Sequence, residues 1–348
     1  MKTYSLKVKE VKRETAEAIT IKFENPSEPI HYKSGQFITL ILDLHGNEVR
    51  RSYSLNSAPG VDEGLSVSVK AVANGLVSNH LNQKLIVGTT LQVIEPMGNF
   101  HFEPKADQKR HIILIGAGSG VTPLYSILKS VLHKEPNSKV SLIYGNRTKD
   151  SIIYGKELME LEIQHPERFT LVNILTRPDE TWVGYTGRIN EATVVNVVEK
   201  LAAITHKDCH YYLCGPKGMM DESLRALDLL SVPKTNIHKE SFGVDSTGAA
   251  PMPASAPSGK SKVTILEGKK KYEFEVDPKD TILETALGLG INLPYSCQSG
   301  MCTACMGKCT SGKVHMENPD GLTEGEIKQG YVLTCIGHPA TAELVIEL

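Results

Sequence analysis

Over residues 4–103 apolar and polar positions alternate with a period of two in short runs, at 6–11, 18–23, 36–42, 65–69 and 90–94, with Gly, Pro and Asn between them. Such spacing predicts a small antiparallel β-barrel filling residues 1–104. A further strand follows the hairpin signal His45-Gly-Asn47 and carries Arg51-Ser-Tyr-Ser54. Strand alternation sets Arg51 and Tyr53 on one side and Ser52 and Ser54 on the other. After residue 70 a turn at Gly75 opens a short helical pattern through Leu76, Val77 and Ser78, whose first N–H groups suit a pyrophosphate.

The period then changes. His111-Ile-Ile-Leu-Ile115 is an unbroken apolar run, as expected of a parallel strand buried on both faces, and it leads into Gly116-Ala-Gly118-Ser-Gly120-Val-Thr122-Pro123. Pro123 suits the first position of a helix whose apolar stripe is Leu124, Ile127, Leu128, Val131 and Leu132. Strand, glycine turn and helix together make a dinucleotide pyrophosphate site. The next strand, 140–144, ends in Gly145-Asn-Arg147, with no acid before Asp150. A base at this point accommodates a ribose 2′-phosphate, so NADPH is favoured and NADH is the alternative. The stretch 203–220 continues the sheet, with a strand at 211–214 ending in Cys214-Gly215-Pro216, where a ligand of an open α/β sheet lies. A last strand at 235–239 precedes Glu240 and Phe242, which completes an α/β domain over 105–243.

Residues 244–261 lose hydrophobic period and are rich in Pro, Ala, Ser and Gly, which marks a linker. Its Gly259-Lys260-Ser261 imitates the end of a phosphate-binding loop, but Ala254 stands where the first glycine belongs and no buried strand precedes it. From 262 to 348 the pattern gives a hairpin (263–276), a helix opened by the capping box Thr281-x-x-Glu284 and closed by Gly288 and Gly290, and strands at 312–316, 331–335 and 343–347. Cys297, Cys302 and Cys305 stand in this α+β domain at Cys-x4-Cys-x2-Cys, with Cys335 further on. This is the ligand spacing of a plant-type [2Fe-2S] cluster, in which three thiolates on one loop face a distant fourth. A structural zinc is the alternative for four thiolates, although zinc ribbons present two Cys-x2-Cys halves.

Composition narrows the field further. The 348 residues, 40% of them hydrophobic, carry a formal net charge of −2, which gives no reason to invoke nucleic acid or an anionic membrane as a partner. Neither a signal peptide nor a membrane span is indicated. Of the seven cysteines four belong to one site, and Cys209, Cys214 and Cys309 make no evident disulfide set, so a reducing cytoplasm is expected. Cys309 reads as strand packing.

Arg51-x-Tyr53-Ser54 followed by Gly75-x-x-Ser78 in a barrel, and Gly116-x-Gly118-x-Gly120-Val-Thr122-Pro123 after a buried strand, resemble the ferredoxin-NADP reductase superfamily. The cysteine-bearing domain resembles a plant-type ferredoxin of the β-grasp fold. The resemblance implies that Tyr53 stacks on the isoalloxazine of FAD and that Ser54 lies near flavin N5. It also implies that Arg51 with Gly75, Leu76, Val77 and Ser78 holds the FAD phosphates, and that Pro96-Met-Gly98 closes the barrel. Thr122, Cys214, Gly215 and Pro216 then line the nicotinamide pocket, with Glu240 and Phe242 beside the flavin. Ser54, Thr122, Cys214 and Glu240 become the catalytic candidates.

The order of three domains is similar to that of oxygenase reductases. Phrases such as Leu142-Ile-Tyr-Gly-Asn-Arg-Thr148 and Gly330-Tyr-Val-Leu-Thr-Cys335 resemble the reductase subunits of phenylacetyl-CoA epoxidases. The function implied is electron flow from NAD(P)H through FAD and a [2Fe-2S] cluster to a redox partner, the oxygenase component. Two other readings stand beside it. One is an NAD(P)H reductase acting on a ferredoxin, a flavodoxin or a small acceptor such as a quinone, and the other is a redox sensor with structural zinc.

Overall fold

The computed structural model describes residues 1–44, 46–201, 209–242, 259–316 and 319–348. These form two compact units, one spanning Lys2–Phe242 and a second taking in the described residues from Gly259 onward.

The first unit opens with six antiparallel strands, β1 (Thr3–Thr15), β2 (Ala18–Phe23), β3 (Phe37–Leu44), β4 (Asn47–Ser54), β5 (Ser66–Lys70) and β6 (Thr90–Met97), hydrogen-bonded in the order β4-β3-β6-β1-β2-β5. A bridge between Leu55 and Val67 brings the end of β4 back to β5 and closes the ring. The inward positions Leu6, Val8, Ile19, Ile21, Ile38, Leu40, Val67 and Val69 make the core, as strand alternation requires. Helix α1 (Leu76–Lys84) covers one end, with Val77 and Leu81 turned into that core. Leu44 and Asn47 pair across the expected hairpin, whose His45 lies outside the described residues.

Six parallel strands follow: β7 (His111–Ala117), β8 (Lys139–Asn146), β9 (Phe169–Leu175), β10 (Tyr185–Thr186), β11 (Cys209–Cys214) and β12 (Ile237–Glu240), in the order β10-β9-β8-β7-β11-β12. Successive strands leave β7 on opposite sides, so the topological switch, where such sheets open a ligand crevice, falls at its carboxyl end. Helices α2 (Val121–Lys134) and α3 (Gly155–Gln164) pack on one face of the sheet, and α4 (Glu191–Leu201) and α5 (Lys217–Leu229) on the other. The whole α2 stripe expected from the sequence is buried, and each of its five side chains contributes roughly 1.5–3 kcal/mol.

Three expectations shift. A 3-10 turn at Gly118–Gly120 runs straight into α2, so Pro123 is the third helical residue and not the first. After Pro233 a second 3-10 turn, Lys234–Asn236, delays the last strand to Ile237. The part of the stretch 203–220 before Cys209 lies outside the described residues, as do residues 244–258 of the expected linker. Ser261, placed in that linker by its composition, is the first residue of a strand and fully buried.

The second unit is a β-grasp. A five-stranded sheet of β13 (Ser261–Glu267), β14 (Lys270–Val276), β15 (Met306–Ser311), β17 (Tyr331–Leu333) and β19 (Glu343–Glu347) runs in the order β14-β13-β19-β15-β17, beside a small ladder of β16 (Val314–Met316) and β18 (Gly337–Pro339). Helix α6 (Ile282–Gly288) presents Ile282, Leu283 and Ala286 to the core, and a short α7 (Glu324–Lys328) precedes β17. Thr281 Oγ1 caps α6 by accepting the Glu284 N–H at 3.1 Å. Cys309 lies half-buried in β15 against the core. No helix among the described residues is long and apolar enough to cross a membrane.

His111 opens β7 in a nearly closed environment, 4% exposed, with Nε2 at 2.9 Å from Ser141 Oγ. Burial, and then the Lys139 charge, lower its pKa from 6.5 to about 4. Between those pH values the unfolded chain binds a proton that the folded protein refuses, so stability falls as pH drops from 6.5 to about 4. The predicted loss from this residue is on the order of 3 kcal/mol. Urea unfolding of the protein and of a His111→Gln variant across this range checks it, the variant showing the shallower pH dependence.

Candidate functional site

The glycine turn after β7 owes its shape to contacts that only glycine permits. A β-carbon on Gly120 would stand 2.0 Å from the Cys214 carbonyl oxygen, so the start of α2 can lie directly against the end of β11 only without one. Gly118 takes φ +55°, and its carbonyl accepts a hydrogen bond from the buried Tyr144 hydroxyl at 2.9 Å. Thr122, 2% exposed, donates from Oγ1 to the Ser119 carbonyl at 2.9 Å. The turn, Thr122, Cys214 and Gly215 are thereby brought together at the carboxyl ends of β7 and β11, and Pro216 caps α5 beside them.

From Cys214 the arrangement continues into the barrel. Cys214 pairs with Glu240 in the parallel β11–β12 ladder, and Ser54 Oγ donates to Glu240 Oε2 at 3.2 Å. All three side chains are buried. Burial first, and then the neighbouring Glu240 carboxylate, push the Cys214 thiol well above its ordinary pKa, so it stays a neutral, weakly polar wall. Tyr53, next to Ser54 on β4, has its phenol raised by burial, while the nearby Arg51 charge opposes the shift. Arg51 itself is exposed, and its Nη1 donates to the Arg50 carbonyl. Phe242 is 44% exposed and stands two residues beyond the end of β12.

Beyond β5, Gly75 is the N-cap of α1 and provides no side-chain bond to its first turn. Asn79 Nδ2 fixes the turn by donating to the carbonyls of Val72 and Gly75, and Ser78 Oγ accepts the Val72 N–H at 3.1 Å. Val77 and Ser78 are buried and Leu76 is exposed. An uncapped helix start of this kind suits the phosphates of a dinucleotide.

Two cations near these groups are not evident from the sequence. Lys70, the last residue of β5, brings Nζ to 3.8 Å from where a Gly118 β-carbon would lie, so a barrel residue faces the glycine turn of the α/β lobe. Arg177 follows β9, and its backbone N–H donates to the Arg147 carbonyl at 2.7 Å, so two exposed arginines lie on neighbouring backbone segments beyond the carboxyl ends of β8 and β9. The signal available in the sequence was the strand preceding Arg177, since parallel pairing with β8 carries that residue to Arg147.

In the second unit Cys297, Cys302, Cys305 and Cys335 are all buried and all free of disulfides. Their sulfurs interact in a row: Cys302 with Cys297, Cys297 with Cys335, and Cys335 with Cys305. The coupling lowers the Cys297 thiol, chiefly through Cys302, and raises that of Cys335, chiefly through Cys297. No group of three or more Cys, His, Asp or Glu among the described residues is placed as a metal site. The donor set nevertheless has the all-thiolate chemistry of a two-iron cluster. Ser299 N–H points at Cys297 Sγ at 3.4 Å, a bond of the kind that tunes such centres. Gln298 and Gly300 turn the loop with φ of +55° and +73°. Thr334 N–H and Oγ1 both donate to the Cys305 carbonyl and tie the distant cysteine's strand to the loop.

Three family models match in chain order: an oxidoreductase FAD-binding domain over residues 4–102, an oxidoreductase NAD-binding domain over 114–224 and a 2Fe-2S iron-sulfur cluster binding domain over 265–340. The chain is 34% identical to a component of the 1,2-phenylacetyl-CoA epoxidase of Escherichia coli K12, across 99% of this chain and 97% of that protein. It is 35% identical to the ferredoxin reductase component of 3-ketosteroid-9-alpha-monooxygenase of Rhodococcus rhodochrous, across 98% and 96%. Its fold is similar to that of a solved phthalate dioxygenase reductase, with a TM-score of 0.67 and 23% identity over 99% of this chain and 98% of the other.

A methyl group at Gly120 would force the start of α2 off the end of β11. Gly120→Ala is expected to destabilise the protein by about 1–3 kcal/mol and to weaken nucleotide binding, checked by chemical denaturation and by titration with NADP⁺.

Proposed function

We propose, since the chain belongs to the family of oxidoreductases that join FAD-binding, NAD-binding and 2Fe-2S cluster binding domains as reductase components of oxygenases, that it draws electrons from NADPH for an oxygenase of the phenylacetyl-CoA epoxidase kind. The observation that carries this reading is the continuous series of contacts from the glycine turn through Cys214 and Glu240 to Ser54, within one compact unit. These contacts support a nucleotide site and a flavin site built from neighbouring residues.

FAD, when bound, would supply the change from hydride to single-electron chemistry, and a [2Fe-2S] centre would supply one-electron relay. The protein's own groups do the positioning. Tyr53 offers a ring face to the isoalloxazine, its phenol held protonated by burial. The hydrogen bond between Ser54 and Glu240 orients both side chains, so that Ser54 would face flavin N5 and Glu240 would lie beside the ring. Thr122 and the neutral Cys214 thiol, with Gly215 and Pro216, wall the nicotinamide pocket and keep water from it. Arg51 and the first turn of α1, Gly75 to Ser78, take the FAD phosphates. Gly116, Gly118 and Gly120, faced by Lys70, take the nucleotide pyrophosphate. Phe242, exposed at the end of the unit, covers the flavin. Cys297, Cys302, Cys305 and Cys335 ligate the cluster.

Two exposed arginines on hydrogen-bonded segments, Arg147 and Arg177, favour a 2′-phosphate and hence NADPH, with NADH the alternative. We assign the barrel to 1–104, the α/β domain to 105–243, a linker to 244–260 and the ferredoxin domain to 261–348, its first strand beginning at Ser261. Seven unbridged cysteines suit a cytoplasmic location.

Two measurements test the reading. Cys302→Ser is expected to abolish electron delivery to an epoxidase oxygenase component and to cytochrome c, while NADPH-ferricyanide activity at the flavin survives. Equal loss of both in a protein still holding FAD refutes the division of labour. Arg147→Ala with Arg177→Ala is expected to raise KM for NADPH at least tenfold, corresponding to about 1.4 kcal/mol of lost binding, and to leave KM for NADH nearly unchanged. Steady-state kinetics with both nucleotides decide this.

A further inference from the structure

The α/β lobe meets the barrel through matched polar pairs. Along α2, Ser126 Oγ donates to the Ser57 carbonyl at 2.5 Å, Ser130 and Ser34 share a hydrogen bond at 2.6 Å, and Lys129 pairs with Asp62. The last member is Tyr154, the N-cap of α3, held in the left-handed region at φ +60°, ψ +25° and only 3% exposed. A bulky residue there is strained and persists only where its surroundings hold it. They do so on three sides. Its ring stacks on Tyr125 of α2 at 4.4 Å between centroids, Asn56 Nδ2 donates to its hydroxyl at 2.8 Å, and Ser68 Oγ lies against the same oxygen. Asn56 and Ser68 are barrel residues, so the Tyr154 hydroxyl is a peg of one lobe seated in the other. Nearby, Lys12 of β1 joins the buried Glu14 to Glu157 of α3.

Packing holds the Tyr154 ring, and the two hydrogen bonds fix its hydroxyl. A cavity of about 300 Å³ opens between the lobes at this point, with Lys12, Glu14, Asn56, Tyr125, Tyr154 and Glu157 in its walls. Where surfaces do not interlock, directional bonds set how far apart they stand. The position of the seat matters because Asn56 is two residues beyond Ser54, while Tyr154 opens the helix that follows β8, the strand whose Tyr144 holds the Gly118 carbonyl.

We propose that Tyr154 is a positioning residue for hydride transfer: its hydroxyl, bonded to Asn56 and Ser68, fixes the approach of the nicotinamide pocket to the flavin. This rests on the flavin and nicotinamide sites proposed above. A small displacement of reacting atoms costs far more in rate than in binding. Loss of the peg therefore slows transfer without weakening nucleotide affinity.

The test is anaerobic stopped-flow reduction of the FAD-loaded, cluster-loaded protein by NADPH and by its 4-deuterated form. Tyr154→Phe is expected to slow flavin reduction about tenfold, to enlarge the deuterium effect and to weaken the long-wavelength charge-transfer absorbance between nicotinamide and flavin. NADPH dissociation constant and FAD content stay unchanged. Asn56→Ser removes the same bond from the barrel side and carries the test if Tyr154→Phe does not fold, and the double variant is expected to be no slower than either single one. An unchanged rate and absorbance with only a lower melting temperature makes Tyr154 merely structural and overturns the proposal, as do independent effects of the two substitutions. If Ser54→Ala and Glu240→Gln leave flavin reduction at the parent rate, the flavin placement falls first and this proposal with it.

Discussion

Nearly everything in the larger unit is arranged about the close approach of the Gly120 backbone to the Cys214 carbonyl. A helix that begins against the end of a neighbouring strand leaves its positive end at the topological switch of the sheet, where charge on a nucleotide is best received. The same strand end is hydrogen-bonded to β12, and β12 ends in the carboxylate that reaches Ser54 of the barrel. One steric allowance, the absence of a β-carbon, thus places groups from both lobes around a common centre. Tyr144, bound to the Gly118 carbonyl, keeps the intervening turn from relaxing out of that arrangement.

The smaller unit solves a different problem. Its loop has no regular structure from which to hang four sulfurs, so it borrows order from its neighbours. Thr334 binds the Cys305 carbonyl from the strand side, and its own carbonyl accepts from Leu283 at the start of α6. Gly321 N–H donates to the Gly300 carbonyl at 2.7 Å, and a β-carbon on Gly321 would come within 3.0 Å of the backbone around Met301 and Cys302. The loop is therefore held from the helix, the return strand and the turn before α7, which keeps the thiols buried and facing one another.

Much of this was legible in the chain because the signals were local. The run 18–23 is β2 to the residue, the α2 stripe is wholly buried, and the cysteine spacing alone marked the loop. What escaped depended on tertiary pairing. Arg177 and Lys70 carry no motif, and only sheet register and the meeting of two lobes bring them to Arg147 and Gly118. The bond between Ser54 and Glu240 spans most of the unit's sequence; family resemblance put each residue near the flavin but did not give the bond between them. Pro123 misled by one general preference, since Pro is tolerated throughout a first turn where N–H groups have no intrahelical partner. Thr235 and Asn236 read as strand, but Pro233 before them starts a tighter turn.

The seam along α2 also bears on how such proteins can be recombined. Ser126, Ser130 and Lys129 each have a named counterpart on the barrel, and Tyr154 has two. A foreign barrel grafted onto this α/β lobe would strand those donors and acceptors in an enclosed boundary, where an unmatched polar group is penalised more than a matched one is rewarded. The two lobes should thus be inherited as a single module, with any exchange of parts between reductases falling outside residues 2–242.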